Sequence, residues 1–225
     1  MFRFINNRHK GEQVRVFASW SGGKECALAT YKAILQGHQV SYLLNFISED
    51  GERSRSHGIL AKVLDLQAKA IGIPMVQVKT SWENYEENFK KVVTELKEKG
   101  ISSGVFGDID LEEHREWLER VCGELGIKPI LPLWGIGSEE LLADFWSLGF
   151  KAIVVATKLD QSLLGRNLDK ASLNEIKKFG CHPCGESGEY HTFVFDGPIF
   201  KTPLKVIPGK KEKRDNVWFL EISVR

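Results

Sequence analysis

Short β-rich runs alternate with helical segments over the first two thirds of the chain, and this alternation constrains the fold more than any other feature. Strands are predicted at residues 14–18, 40–47, 75–78, 105–109, 130–133 and 152–156. Between them lie segments whose apolar residues recur three and four apart, as on one face of a helix. Strands separated in this way form right-handed βαβ units. The sequence therefore predicts an α/β fold with a parallel, doubly wound sheet.

The pattern changes after Thr157. One helix is predicted up to Phe179, and β-rich runs follow at residues 190–195, 204–207 and 217–224, separated by turns rich in glycine and proline. These runs lack the helices that parallel crossovers need. We expect a smaller α+β substrate domain at the C-terminal end. The predicted division is 1–160 for the first domain and 161–225 for the second.

The composition excludes several classes of protein. The 31 Lys and Arg residues nearly balance the 30 Asp and Glu residues, so neither a nucleic-acid partner nor a membrane partner is expected from bulk charge. No apolar run approaches the ~20 residues that span a bilayer. Four cysteines are too few and too scattered for a disulfide scaffold in a chain of 225 residues. We expect a cytoplasmic protein of a reducing compartment.

A glycine-rich segment lies between the first predicted strand and the first predicted helix. It reads Ser21, Gly22, Gly23, Lys24, Glu25 and Cys26, and we call it the glycine loop. Glycines allow the backbone to approach a ligand, and the following helix presents unpaired N–H groups with a positive dipole end. These features suit a phosphate. The Walker motif and the dinucleotide fingerprint are both absent, and a turn with glycines for geometry alone is the alternative.

A second candidate segment follows the fourth predicted strand. Gly107 and Asp108 come where that strand would leave the sheet, and Arg115 follows on the next predicted helix. Both side chains suit a polar ligand at the carboxyl edge of a parallel sheet. The alternative is structural, with Asp108 capping a helix and Arg115 pairing with Glu112 or Glu119.

A third segment concentrates polar groups within a few residues. Glu186, Glu189, His191 and Thr192 lie in a stretch broken by Gly185 and Gly188 that leads into a strand. Such a stretch suits a charged substrate, and a tight turn before an edge strand is the alternative. Cys181 and Cys184 form a single Cys-x-x-Cys pair, whereas a structural zinc site takes four ligands, so no metal ligand is assigned.

The glycine loop resembles the PP-loop, Ser-Gly-Gly-x-x-Ser/Thr, of N-type ATP pyrophosphatases, with Cys26 where serine or threonine is usual. The chain resembles the diphthine–ammonia ligase family in all three segments. The resemblance includes Leu131-Pro132-Leu133-Trp134, which follows the second segment, and Asp196-Gly197-Pro198, which follows the third. The resemblance implies a fold of the adenine nucleotide alpha hydrolase type. It also implies a ligase that uses ATP to adenylate the carboxylate of diphthine on translation elongation factor 2 and then amidates it with ammonia. The cofactors implied are ATP and Mg²⁺.

The resemblance also implies roles for individual residues. The glycine loop, with Lys24, holds phosphates, and His57, Gly107 and Asp108 border the nucleotide. Substrate contacts fall to Arg115, Glu186, Glu189, His191 and Thr192. Lys24, Glu186, Glu189 and His191 are expected to be catalytic, with His191 accepting a proton from ammonium because its ordinary pKa is near neutrality.

Two other functions are compatible with parts of the sequence. A PP-loop enzyme that modifies tRNA shares the glycine loop, but the balanced charge disfavours it. An ATP sensor without chemistry does not need the polar cluster around Glu186. A homo-oligomer formed through the C-terminal strands is also predicted as a possibility.

Overall fold

A computed structural model describes residues 14–225 and contains nine strands, six α-helices and one short 3-10 helix (Gln161–Leu163) within them. The strands are β1 (Arg15–Ser19), β2 (Gln39–Ile47), β3 (Met75–Lys79), β4 (Ser103–Val105), β5 (Lys128–Ile130), β6 (Lys151–Thr157), β7 (Tyr190–Asp196), β8 (Val206–Arg214) and β9 (Val217–Val224). The helices are α1 (Lys24–Leu35), α2 (Ala61–Ile71), α3 (Tyr85–Glu98), α4 (Glu112–Glu124), α5 (Ser138–Ser147) and α6 (Lys170–Lys177).

The first five strands form a parallel sheet in the order β3-β2-β1-β4-β5. Alternate residues of β1 face opposite sides, so Val16 and Ala18 join one apolar cluster while Phe17 joins the other. The predicted α/β fold with a doubly wound parallel sheet is confirmed. The strand order reverses between β1 and β4, and this switch point is where such sheets bind ligands.

The last four strands form a second, antiparallel sheet in the order β7-β6-β9-β8. The placement of residues 152–156 in the parallel sheet is therefore wrong, since β6 lies between β7 and β9. An unbroken apolar run indicates burial on both faces and does not indicate which sheet buries it. The predicted division at residue 160 stays a prediction, and the two sheets part earlier, between β5 and β6.

The strand predicted at 105–109 is wrong in its bounds. β4 ends at Val105, and residues 107–110 form a loop that crosses the start of α1. A Cβ on Gly107 would lie 2.9 Å from the carbonyl carbon of Glu25, so the chain passes there only because the residue is glycine. Among residues 14–225, no helix has the length and apolar character needed to cross a membrane.

Candidate active site

The glycine loop connects β1 to α1 at the carboxyl edge of the parallel sheet. Gly22 has φ +85°, and a Cβ there would lie 2.5 Å from Leu64 Cδ2. Gly23 is the residue before α1 and has no side chain to cap the helix. The loop is therefore compact, and it leaves the N-terminus of α1 without the usual serine, threonine or aspartate cap.

Gln67 of α2 holds the glycine loop in place, a role that was not predicted. Its side chain is fully buried, and its Nε2 donates to Gly22 O at 3.1 Å and to Val194 O at 2.6 Å. Its Oε1 accepts from Trp20 Nε1 at 2.9 Å. One amide thus joins the loop, the end of β1 and β7. The sequence carried one signal for this role: Gln67 is a polar residue on the apolar face of the predicted second helix, and a buried polar side chain needs hydrogen-bond partners.

Lys24 is turned inwards and is 1% exposed. Its Nζ donates to Cys184 O at 2.6 Å, pairs with Glu25 Oε1 at 2.5 Å and lies 4.5 Å from the centroid of the Tyr190 ring. Burial lowers the pKa of Lys24, but Glu25 and the other neighbours outweigh it and raise the pKa above its ordinary value. Lys24 is charged, and it connects the glycine loop to the segment that bears Glu186.

Cys26 ends the glycine loop and does not behave as a nucleophile. Its thiol donates to Gly23 O at 3.1 Å, and Ser21 Oγ lies 3.5 Å from its Sγ. Burial raises the pKa of Cys26, which keeps it as the neutral thiol.

β7 brings His191 and Thr192 against the glycine loop. The buried hydroxyl of Thr192 accepts from the backbone N–H of Lys24 at 3.1 Å, and Val194 N donates to Gly22 O at 2.9 Å. Thr192 O lies 3.0 Å from Nδ1 of His57. Thr192 therefore replaces the missing cap of α1 from a distant part of the chain.

The rings of His57 and His191 are stacked, with their centroids 4.4 Å apart. Burial is the main cause that lowers the pKa of His191 to about 4, with Lys24 and Lys158 adding to the effect. Burial, with His191 next, lowers the pKa of His57 well below its ordinary value. Both imidazoles are therefore neutral near pH 7.

Glu186 lies in the segment 184–189, which we call the acidic loop. Burial raises its pKa to about 8. Three neighbouring carboxylates add to this rise and Lys24 opposes it; the carboxylates belong to Glu25, Asp110 and Asp108. A carboxylic acid that titrates close to neutrality can exchange a proton with substrate, as a catalytic acid or base must.

Glu189 fixes the end of the acidic loop. Its Oε1 accepts from the backbone N–H of His182 at 3.2 Å. Its Oε2 is buried and has no hydrogen-bond partner within residues 14–225. His182 in turn lies 3.2 Å from Asp110 Oδ2 through its Nε2. A buried carboxylate oxygen without a partner is available to a polar or cationic ligand.

A cleft of about 390 Å³ opens at the carboxyl edge between β1 and β4. Its wall is aromatic and consists of Trp82, Tyr85, Phe89, Phe106 and Trp117, with Ser19, Ser56, Asp108 and His114 as its main polar groups. Asp108 Oδ1 lies 3.1 Å from His114 Nδ1, and this contact raises the pKa of His114. Apolar walls with a few polar groups at a switch point are typical of a nucleotide site.

Arg115 lies apart from this constellation, on the exposed face of α4. Its Nε donates to Glu119 Oε1 at 2.7 Å, and its guanidinium stacks over the Trp134 ring at 5.1 Å. The structure thus gives Arg115 the surface pairing that was its alternative interpretation. Trp117, two residues on, faces the aromatic cleft and donates to Glu86.

Within residues 14–225, no three His, Cys, Asp or Glu side chains are grouped so that they can hold a metal ion. Cys184 is buried, with burial as the main cause that raises its pKa to about 12. Its thiol lies 3.6 Å from Ser138 O, so it packs as a small buried residue.

Comparisons with known proteins show the family of the chain. The profile of the diphthamide synthase N-terminal domain matches residues 14–129, and that of the diphthamide synthase C-terminal domain matches residues 137–224. The chain belongs to the diphthamide synthase family. Human diphthine–ammonia ligase is 32% identical over 86% of this chain and 83% of its own length, and the rat ligase is 31% identical over the same shares.

A solved chain from Methanocaldococcus jannaschii, described as a predicted subunit of a tRNA methyltransferase, superposes with a TM-score of 0.45 at 17% identity. The superposition covers 84% of the present chain and 99% of the solved chain. The curated relatives carry the ligase name, and they do not favour the tRNA alternative.

Proposed function

We propose that this chain is an ATP-dependent ligase that amidates the carboxylate of diphthine on translation elongation factor 2. The observation that supports it most is the joining of the two loops. Lys24 of the glycine loop donates to Cys184 O at the start of the acidic loop at 2.6 Å. A phosphate-binding turn and a carboxyl-rich substrate loop thus form one site, which is the arrangement that adenylation of an acid requires.

The chemistry explains why two such loops are needed. A carboxylate does not react with ammonia in water, because its oxide is a poor leaving group. When bound, ATP supplies a better one: transfer of its AMP to the carboxylate releases pyrophosphate, and ammonia then displaces AMP to leave the amide. The residues of this chain hold the reactants in line and balance their charges.

The glycine loop fits the phosphates of ATP. Its helix N-terminus has no side-chain cap from Gly23, and its compact turn is fixed by Gln67 and Thr192. Backbone N–H groups of the glycine loop hold the departing pyrophosphate, apart from the Lys24 N–H, which donates to Thr192. Gly107 and Asp108 border the nucleotide in the aromatic cleft, with His57 behind the loop.

The acidic loop provides the groups for the second substrate. Glu186 and Glu189 face the quaternary ammonium of diphthine or the incoming ammonium ion. We assign the proton acceptor to Glu186 in place of His191, because the pKa of about 8 at Glu186 matches ammonium better than the pKa of about 4 at His191. His191 then forms a neutral wall of the site. Arg115 as a contact for the modified histidine stays a prediction.

Mg²⁺ belongs to this proposal with few protein ligands. Within the described part of the chain there is no group of three acidic or imidazole side chains suited to a metal. Mg²⁺ commonly binds through substrate phosphates, waters and one or two carboxylates. Asp108 at the aromatic cleft is the carboxylate closest to that description.

The test is a reconstituted reaction. The full chain is incubated with ATP, Mg²⁺, ammonium and elongation factor 2 that carries diphthine. We expect AMP and pyrophosphate in equal amounts, and mass spectrometry of the modified peptide should show the amide in place of the acid. Release of ADP, or turnover that requires tRNA and ignores the elongation factor, overturns the proposal.

A further inference from the structure

Arg55 lies beside the glycine loop, and neither the three sequence segments nor the proposed chemistry gives it a role. It follows β2 at the carboxyl edge of the parallel sheet. A small cleft of about 80 Å³ beside it is lined by Ser21, the first residue of the glycine loop, by Ser54 and by Arg55 itself. This cleft shares Ser19 and the aromatic side chains Trp82 and Tyr85 with the larger aromatic cleft.

The backbone around Arg55 is held in one conformation. Arg55 N donates to Phe46 O at 3.0 Å, and Ser54 N donates to Ile59 O at 2.8 Å. Arg53 Nη1 donates to Gly58 O at 3.0 Å and closes the same turn. These bonds fix the backbone from which the Arg55 side chain extends, and a preformed backbone lowers the ordering cost of binding.

The guanidinium of Arg55 stacks on an aromatic ring, but its buried Nε lacks a hydrogen-bond acceptor in the part of the chain that the structure describes. Its Cζ lies 4.6 Å from the centroid of the Trp82 ring, and Trp82 is 64% exposed. The Nε atom of Arg55 is buried and has no hydrogen-bond partner within residues 14–225. No ion pair to Arg55 within 4 Å is found in that part of the chain. An arginine stacked on an aromatic ring with a buried Nε that has no partner is suited to a carboxylate or phosphate, which accepts two parallel hydrogen bonds from the guanidinium.

The side chain of Lys24 is not free to bind the phosphates of ATP. It was the expected cation of the glycine loop, but its ammonium is buried between Cys184 O, Glu25 and the Tyr190 ring. The triphosphate of ATP carries several negative charges, and backbone N–H groups supply only partial ones. A full positive charge beside Ser21 is what the site otherwise lacks.

We infer that Arg55, held on Trp82, is the side chain that binds the phosphates of ATP in this chain. The inference rests on the proposed function, because it assumes that a nucleotide occupies the aromatic cleft and the glycine loop. It predicts that Arg55 recognises the phosphates and contributes nothing to recognition of the nucleoside.

Calorimetric titration of the full chain with ATP and Mg²⁺, and separately with adenosine, tests this inference. In Arg55→Gln we expect ATP affinity to fall about 10- to 100-fold, as for loss of a hydrogen bond to a charged group, with adenosine affinity unchanged. Arg55→Lys should recover part of the loss, since it keeps the charge without the planar fork. Lys62→Gln, which removes one charge from the exposed start of α2, is the control and should bind both ligands as the parent chain does.

Equal ATP affinity in Arg55→Gln and the parent chain overturns the inference and leaves the ligase proposal in place. An equal loss for ATP and adenosine also overturns it, because Arg55 would then act on the fold or the nucleoside. Thermal unfolding without ligand separates these two cases. A parent chain that binds no ATP contradicts the proposed function itself.

Discussion

The two loops of the site are built on opposite principles. The backbone of the glycine loop is held by neutral contacts: Gln67 donates to its Gly22 carbonyl, and the Thr192 hydroxyl accepts from its Lys24 N–H. The ion pair of Lys24 with Glu25 joins side chains only. The acidic loop carries Glu186, whose pKa burial raises to about 8, and Glu189, which has a buried oxygen without a partner. Shape at the first loop is therefore independent of pH, while charge at the second changes close to neutrality. A cradle for phosphates needs the former property, and proton transfer needs the latter.

Glu186→Gln should separate the two loops most clearly. We expect amide formation to fall by about 10²- to 10⁴-fold, the range for loss of an acid–base group, while ATP affinity stays unchanged. In the parent chain the rate should rise as pH passes through about 8, because the carboxylate forms there. In the variant the step at about 8 should be absent, and only the later rise from the ionisation of ammonium itself should remain. A pH–rate profile from 6 to about 9.5 with saturating ATP measures both effects.

The raised pKa of Glu186 also makes the stability of the folded chain depend on pH. The carboxyl of Glu186 stays protonated in the folded chain while it ionises in the unfolded chain, so its contribution to stability falls as pH rises from 4.5 to about 8. Glu186→Gln lacks this titration. The difference in melting temperature between variant and parent should therefore widen in favour of the variant over that range, and a constant difference would contradict the raised pKa.

Lys24→Met tests whether the two loops act together. We expect pyrophosphate formation to fall by about 10²- to 10³-fold, comparable to the loss of one preorganised donor, because both the Cys184 contact and the buried charge are lost. The matched control is Lys32→Met on the same helix, whose ammonium pairs with Asp144 at 2.7 Å on the half-exposed face. Undiminished AMP release in Lys24→Met would remove Lys24 from the catalytic groups.

Gln67→Leu tests the neutral contacts that hold the backbone of the glycine loop. The change removes the Gln67 bonds to two buried carbonyls and to the Trp20 indole. Gly22 O keeps its bond from Val194 N, whereas the Trp20 indole loses its acceptor, and a buried polar group left without a partner costs about 1–3 kcal/mol. We expect a lower melting temperature and a KM for ATP raised roughly tenfold, with kcat nearly unchanged. Gln67→Glu restores the acceptor for Trp20 but not the two donors, and it should recover only part of the stability. A fall in kcat with KM unchanged would contradict a positioning role.

Arg115→Ala should have the smallest effect. Its pairing with Glu119 is on the surface, where an ion pair is worth about 0–1 kcal/mol. We expect the KM for the elongation factor and for ATP to change less than about twofold. Glu119→Ala is the paired control, since it frees Arg115 without removing it. A large rise in the KM for the protein substrate with Arg115→Ala alone would restore the predicted substrate contact.

The sequence predicted the features that depend on local pattern. Gly22 and Gly23 before an amphipathic helix indicated a strand-to-helix turn at the edge of a parallel sheet, and the structure places them there. The acidic loop before β7 was also found from local composition. Both signals arise within ten residues of chain, where backbone geometry and helix periodicity are directly encoded.

Contacts across long separations were beyond the sequence. Gln67 meets Val194 across 127 positions, and Lys24 meets Cys184 across 160. A lysine beside glycines reads as an exposed phosphate ligand, and only the packing of β7 shows that it is enclosed. The same limit applies to the pKa of Glu186, which depends on neighbours from two other segments, the glycine loop and the loop 107–110. β6 was misplaced because its partners β7 and β9 come later in the chain.

β7 contacts both loops, so its register against the glycine loop limits the changes in chain length that the site can tolerate. The acidic loop runs directly into this strand, and two of its residues, Thr192 and Val194, bond the glycine loop. A slip of one position would turn those two residues to the opposite face. Insertions or deletions at residue 189 would therefore misalign the phosphate cradle even though they fall outside it. Changes in the length of this part of the chain are therefore expected to be tolerated only before His182, whose N–H is already bonded to Glu189.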